Sequence, residues 1–151
     1  MVSSMLLYIL ILQHLLDMSF TIQGRGISKG QGSGELLKSS EPISFLSGVD
    51  PQTGVVVENG HPLQGKSIAG KVLAFPYGKG STVGSYVIYA LKRNEKSPVA
   101  IINIDAETII AVGAIIADIP MIDRLEKNIF DVDDGTKIIV DGDLGTAIIE
   151  Q

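Results

Sequence analysis

"AFPYGKGSTVGSYVIYALKRN", Ala74 to Asn94, sets three glycines, a lysine and two hydroxyls between a run that reads as a strand and one that reads as a helix. Its flanks complete the picture. "KVLAF" before it and "PVAIINI" after it are continuous apolar runs of the kind that parallel strands buried on both faces require. Together they make one strand, helix, strand unit, whose right-handed crossover places the two strands side by side with the helix over one face. The helix is expected to begin near Ser81 and to carry its apolar positions at Val83, Val87, Ile88 and Leu91.

Further along, "DAETIIAVGAIIADIP" favours a second helix with Asp105 as its N-cap, although the isoleucine pairs also fit a strand. "IPMID" reads as a short strand, and "KIIVDG" and "TAIIE" as a hairpin around "DGDLG". The half before Ala74 is β-rich, with "SFTIQGR", "GELLKSS", "ISFLS" and "GVVVEN" as strand-like runs between Gly, Ser and Pro. Gly30, Gly32 and Gly34 in "KGQGSGE" suit a turn or bulge, and "GVDPQTG" has Asp and Pro where a turn wants them. The expected class is a mixed α/β fold: a β-rich half plus a mixed sheet covered by helices.

A chain of 151 residues with 45 % apolar content supports one domain with a core of its own. The 12 basic residues are scattered against 17 acidic ones, which argues against a nucleic-acid or membrane-surface footprint. There is no cysteine, so the chain offers no thiolate to zinc or an iron–sulfur cluster. "MLLYILILQHLL", Met5 to Leu16, is too short to span a membrane and lacks the flanks of a signal peptide. Residues 1–17 read either as an appended amphipathic helix or as the product of a start placed too early, with the working domain at 18–151 opening on Met18. His14 in this run takes no catalytic role.

The glycine loop fails three known patterns. A Walker loop needs Gly-x4-Gly-Lys-Ser/Thr, but Lys79 is followed by Gly80 and the earlier glycine position is Leu73. A dinucleotide fingerprint has one residue fewer before its third glycine, and a Gly-x-Ser-x-Gly elbow is missing. What remains is a loop of Gly78, Lys79, Gly80, Ser81 and Thr82 at a helix start, where amides, the dipole and a lysine favour an anion. Ser81 then stands where an alkoxide is stabilised. Equally, Ser81 or Thr82 serves as an N-cap and nothing more.

"GRGISKGQGSGELLKSSEPISFLSGVDPQTGVV", "HPLQGKSIAGKVLAFPYGKGSTVGSYVIYAL" and "AETIIAVGAIIADIPMIDRL" resemble the swivel domain of the aconitase X family, from about Phe20 to Ile149. The resemblance implies the swivelling β/β/α fold and a hydro-lyase active only as a heterodimer with a large subunit. It implies Ser81 as proton acceptor beside a substrate carboxylate, with Gly78, Lys79, Gly80 and Thr82 binding the substrate. A [4Fe-4S] cluster in the partner would take the leaving hydroxyl, and this chain would bind no metal. The expected reaction is dehydration of (R)-5-phosphomevalonate to trans-anhydromevalonate 5-phosphate, in the archaeal route to isoprenoids and in the cytoplasm. Two alternatives are a cis-3-hydroxyproline dehydratase subunit and a non-catalytic swivel module. Ordinary aconitases carry an arginine two positions beyond the serine; Val83 stands here.

Other residues have two readings each. His61 in "NGHPLQG" either orients substrate or partner or is structural, and Met121 sits either at a cleft mouth or in the core. Asp131, Asp133 and Asp134 lack the spacing and terminal glutamate of a calcium loop and read as a solvated turn.

Overall fold

Strict alternation in the buried strands sets the architecture, because successive side chains of a strand point to opposite faces. The computed structural model describes residues 2–17 and 19–150. Its elements are α1 (Val2–Asp17), β1 (Ser19–Gln23), β2 (Arg25–Ser28), β3 (Gln31–Lys38), β4 (Val72–Phe75), α2 (Gly84–Arg93), β5 (Ala100–Asn103), α3 (Thr108–Ile116), β6 (Met121–Asp123), a 3-10 turn at Ile129–Asp131, β7 (Lys137–Asp141) and β8 (Thr146–Glu150). Every residue of β4 and β5 is buried. Val72, Ala74, Ala100 and Ile102 point into one core, and Leu73, Phe75 and Ile101 into another.

The strand order is β1-β8-β7-β3-β4-β5-β6-β2. β3, β4, β5 and β6 run parallel, and the remaining pairs are antiparallel. β1 and β2 stand at opposite ends of that order, yet they are one run of chain interrupted only by Gly24. The sheet therefore wraps around on itself and encloses Ile22, Leu36, Ile102, Ile138, Val140 and Ile149. The second core lies between the sheet and α2 and α3, where Ile88, Leu91, Ile110 and Ala114 are fully buried.

The strand, helix, strand unit, the second helix, the β6 strand and the β7–β8 hairpin are where the sequence puts them. Four readings need correction. Gly32 and Gly34 lie inside β3 and not in a turn, because the chain before β5 crosses that strand: a Cβ on Gly32 would run into the Val99 carbonyl oxygen. "ISFLS" and "GVVVEN" make only isolated bridges, Ile43 to Gly78, Val49 to Val56 and Val55 to Ser67. These short runs serve as core plugs, with Ile43, Phe45, Val49 and Val56 buried under the helices. Val83 is exposed ahead of α2 and does not belong to its apolar face. Met121 is fully buried in the core, so the cleft-mouth reading falls.

Glycine in a strand normally costs about 0.5–1 kcal/mol relative to alanine, so propensity alone makes Gly32→Ala stabilising. Collision with a backbone carbonyl reverses that sign. Thermal unfolding of the full chain is expected to show Gly32→Ala destabilised by about 1–3 kcal/mol.

Along α1, the side chains from Ser3 to Ile11 are all exposed. Met18 and the side chain of His14 lie outside the described residues. No helix among the described residues is long and apolar enough to cross a membrane.

Candidate active site

Residues 76–83 leave the carboxyl end of β4 at the edge of the sheet where β4 and β5 both stop, the usual location of ligands in open parallel sheets. The loop is anchored to Ile43 on both sides. The Ile43 amide donates to the Tyr77 carbonyl (3.4 Å) and its own carbonyl accepts from the Lys79 amide (3.0 Å). Gly78 is buried against the start of α3: a Cβ there would strike the Ile110 side chain and come within 2.9 Å of Glu107 Oε1. Gly80 has φ +94°, and a Cβ there would stand 2.7 Å from Ser44 Oγ. These two glycines bring the loop tip to the surface, with Lys79, Gly80, Ser81 and Thr82 all exposed.

α2 begins at Gly84, three residues later than the sequence suggests, because a turn at Thr82 and Val83 precedes it. The N-cap is Val83, whose side chain has no capping oxygen. Early amides of the helix are already taken: Gly84, Ser85 and Tyr86 donate to the carbonyls of Ser81, Thr82 and Val83 at 2.9, 3.4 and 3.0 Å. The Val83 amide donates to Ser81 Oγ (3.1 Å), so Ser81 does satisfy a turn donor, one step ahead of the helix. The amides of Gly80, Ser81 and Thr82 have no acceptor among the described residues. Three consecutive N–H groups without a protein acceptor, beside an exposed hydroxyl, are donors of the kind that favour an anion.

The five residues singled out in the loop are thus brought together. Lys79 Nζ lies 3.3 Å from Glu58 Oε1. His61 stands behind it, buried, with Nδ1 accepting from the Leu63 amide (3.0 Å) and Nε2 3.0 Å from the Pro42 carbonyl. An Nδ1 that accepts leaves the proton on Nε2, so this imidazole is held in one tautomer and is a structural histidine. Asp134 accepts from the Lys38 amide (2.9 Å) in the turn before β7. Among the described residues no three His, Cys, Asp or Glu side chains converge as metal ligands do. Without a cysteine, the chain's donor set does not fit an iron–sulfur cluster.

Asp105 is not the N-cap of α3. It is exposed and pairs with Arg124 (3.0 Å), while Glu107 accepts from the Ile109 and Ile110 amides at 2.9 and 2.8 Å. A glutamate two residues nearer the helix reaches back to the first-turn donors that Asp105 cannot. Behind it lies an ion pair with one partner, Asp123, buried and the other, Arg25, exposed. Asp123, fully buried, takes both Arg25 Nε (2.9 Å) and Arg25 Nη2 (2.7 Å), and also accepts from the Ala106 amide (2.8 Å). Burial pushes the Asp123 carboxyl up, but the Arg25 fork, the Ala106 amide and the charge of Arg124 outweigh it and hold it below the usual carboxylate range. Asp123 thereby fixes the segment that delivers Glu107 against Gly78. Glu58, Glu107, Arg25 and Asp123 all escape a reading by motif, and only Glu107, an acid just before an apolar run, carried a local signal.

The model of the aconitase X swivel domain matches residues 21–150, nearly all of the folded domain. The chain belongs to that family. It is similar to proteins named phosphomevalonate dehydratase small subunit. The protein of Methanosarcina mazei is 59% identical over 124 residues, 82% of this chain and 86% of that one. That of Thermococcus onnurineus is 54% identical over 130 residues, 86% and 98% of the two chains. The crystal structure of Thermococcus kodakaraensis aconitase X in its holo-form superposes with a TM-score of 0.83 at 52% identity, covering 87% of this chain and 99% of that one. The aconitase X swivel fold thus accounts for the mixed α/β architecture.

Proposed function

We propose that this chain is the small subunit of a two-subunit hydro-lyase that dehydrates (R)-5-phosphomevalonate to trans-anhydromevalonate 5-phosphate. Relatives bearing that subunit name at 54–59% identity support the assignment. The observation that carries it is the loop tip: Ser81 Oγ beside the free amides of Gly80, Ser81 and Thr82. The substrate carboxylate rests on those amides, with Lys79 adding positive charge, while Gly78, expected to bind substrate, is buried and instead lets the loop pack on Ile110 of α3. Ser81, as the alkoxide, takes the proton from the carbon next to that carboxylate, the adjacent C–O bond breaks, and the elements of water are lost. A serine is a weak base at its ordinary pKa, so the amide cluster must favour its ionised form. Val83 supplies no charge where ordinary aconitases have arginine, which leaves that task to the amides, Lys79 and the partner. The cluster belongs to the large subunit in this reading, and the complex works in the cytoplasm.

Anaerobic reconstitution with the large subunit tests it. The pair is expected to be brown and to consume (R)-5-phosphomevalonate, while this chain alone is colourless and inactive. Turnover of cis-3-hydroxyproline in place of phosphomevalonate would reassign the substrate within the same family.

A further inference from the structure

Glu58 is 21 positions from Lys79 in the chain and half-buried beside it. Its carboxylate has two neighbours: Lys79 Nζ at 3.3 Å from Oε1, and His61 Nε2 at 3.9 Å from Oε2. His61 cannot turn away, since the Leu63 amide and the Pro42 carbonyl hold both ring nitrogens. Pro42 in turn precedes Ile43, the residue that anchors both sides of the loop at Tyr77 and Lys79. A long, half-exposed lysine has much rotamer freedom to lose, and a half-buried acceptor beside it reduces that loss.

We infer that Glu58 is a positioning residue that holds the Lys79 ammonium beside the Ser81 loop for an anionic group of the substrate. This rests on the reading of Lys79 as a substrate-binding residue. Glu58 never touches the substrate; it sets where the charge of Lys79 stands. Without it the ammonium samples open solvent, and substrate binding bears the full cost of ordering it.

The test is a double-mutant cycle in the reconstituted two-subunit enzyme with (R)-5-phosphomevalonate, using Glu58→Gln, Lys79→Met and the pair together. Glu58→Gln is expected to raise KM about ten-fold with kcat changed less than about two-fold. In the Lys79→Met background the same change is expected to have no further effect, and Glu58→Asp is expected to restore part of the loss. The inference is overturned if Glu58→Gln leaves KM unchanged while Lys79→Met raises it, or if the two effects add independently, the mark of a purely structural role. If Lys79→Met itself leaves KM untouched, the substrate-binding reading of Lys79 falls, and this inference with it.

Discussion

Ser81→Ala in the assembled enzyme is expected to lower kcat by roughly 10²–10⁴-fold, the usual worth of a positioned proton-transfer group. KM should change little, because the substrate-binding donors are the amides of Gly80, Ser81 and Thr82, which the substitution leaves in place. The side chain also accepts the Val83 amide at 3.1 Å, so a small loss of stability, about 0.5–1 kcal/mol, accompanies the loss of activity. Steady-state kinetics with size-exclusion chromatography separate the two effects. Near-normal turnover by an intact heterodimer would reduce Ser81 to its turn-satisfying bond.

Arg25→Met is the second large effect, and its pH dependence is diagnostic. In the parent, the Asp123 carboxyl is held below its unfolded value of about 4. Its contribution is therefore complete above pH 4 and is lost only as pH falls through the depressed folded value. Remove Arg25 and burial dominates: the carboxyl rises above its unfolded value, and a fully buried charge stands with the Ala106 amide as its remaining direct donor. That penalty is greatest at neutral pH and shrinks as acid protonates the group. The full-length variant is expected to melt about 10 °C below the parent at pH 7, with the gap narrowing toward pH 5. A gap that is absent, or constant with pH, would show that the ion pair carries little of the fold.

Local patterns made much of this molecule legible. β4 and β5 are buried on both faces, so their apolar runs are unbroken, and the helix between them has Ile88 and Leu91 at the spacing that buries one side. Between Ser39 and Lys71 the turn at "GVDPQTG" is legible, but the apolar runs "ISFLS" and "GVVVEN" are too short to carry a period; Ile43, Phe45 and Val56 are buried by what packs on them, not by a strand of their own. The strand position of Gly32 has no local signal either, since the chain that crosses it at Val99 is 67 positions away by residue number.

The sequence by itself determined the class of fold, the loop, and through resemblance the family, because those depend on neighbours in the chain and on strings of residues. Only the tertiary structure decided that one run of chain, residues 19–28, supplies both end strands of the sheet by pairing with β8 and with β6, and that Glu58 and Glu107 stand against Ser81's loop, with Asp123 holding the Ala106 amide beside Glu107. Non-local contacts leave no period in a sequence. The loop reads as a serine at a helix start; the fold makes it a serine beside three unpaired amides.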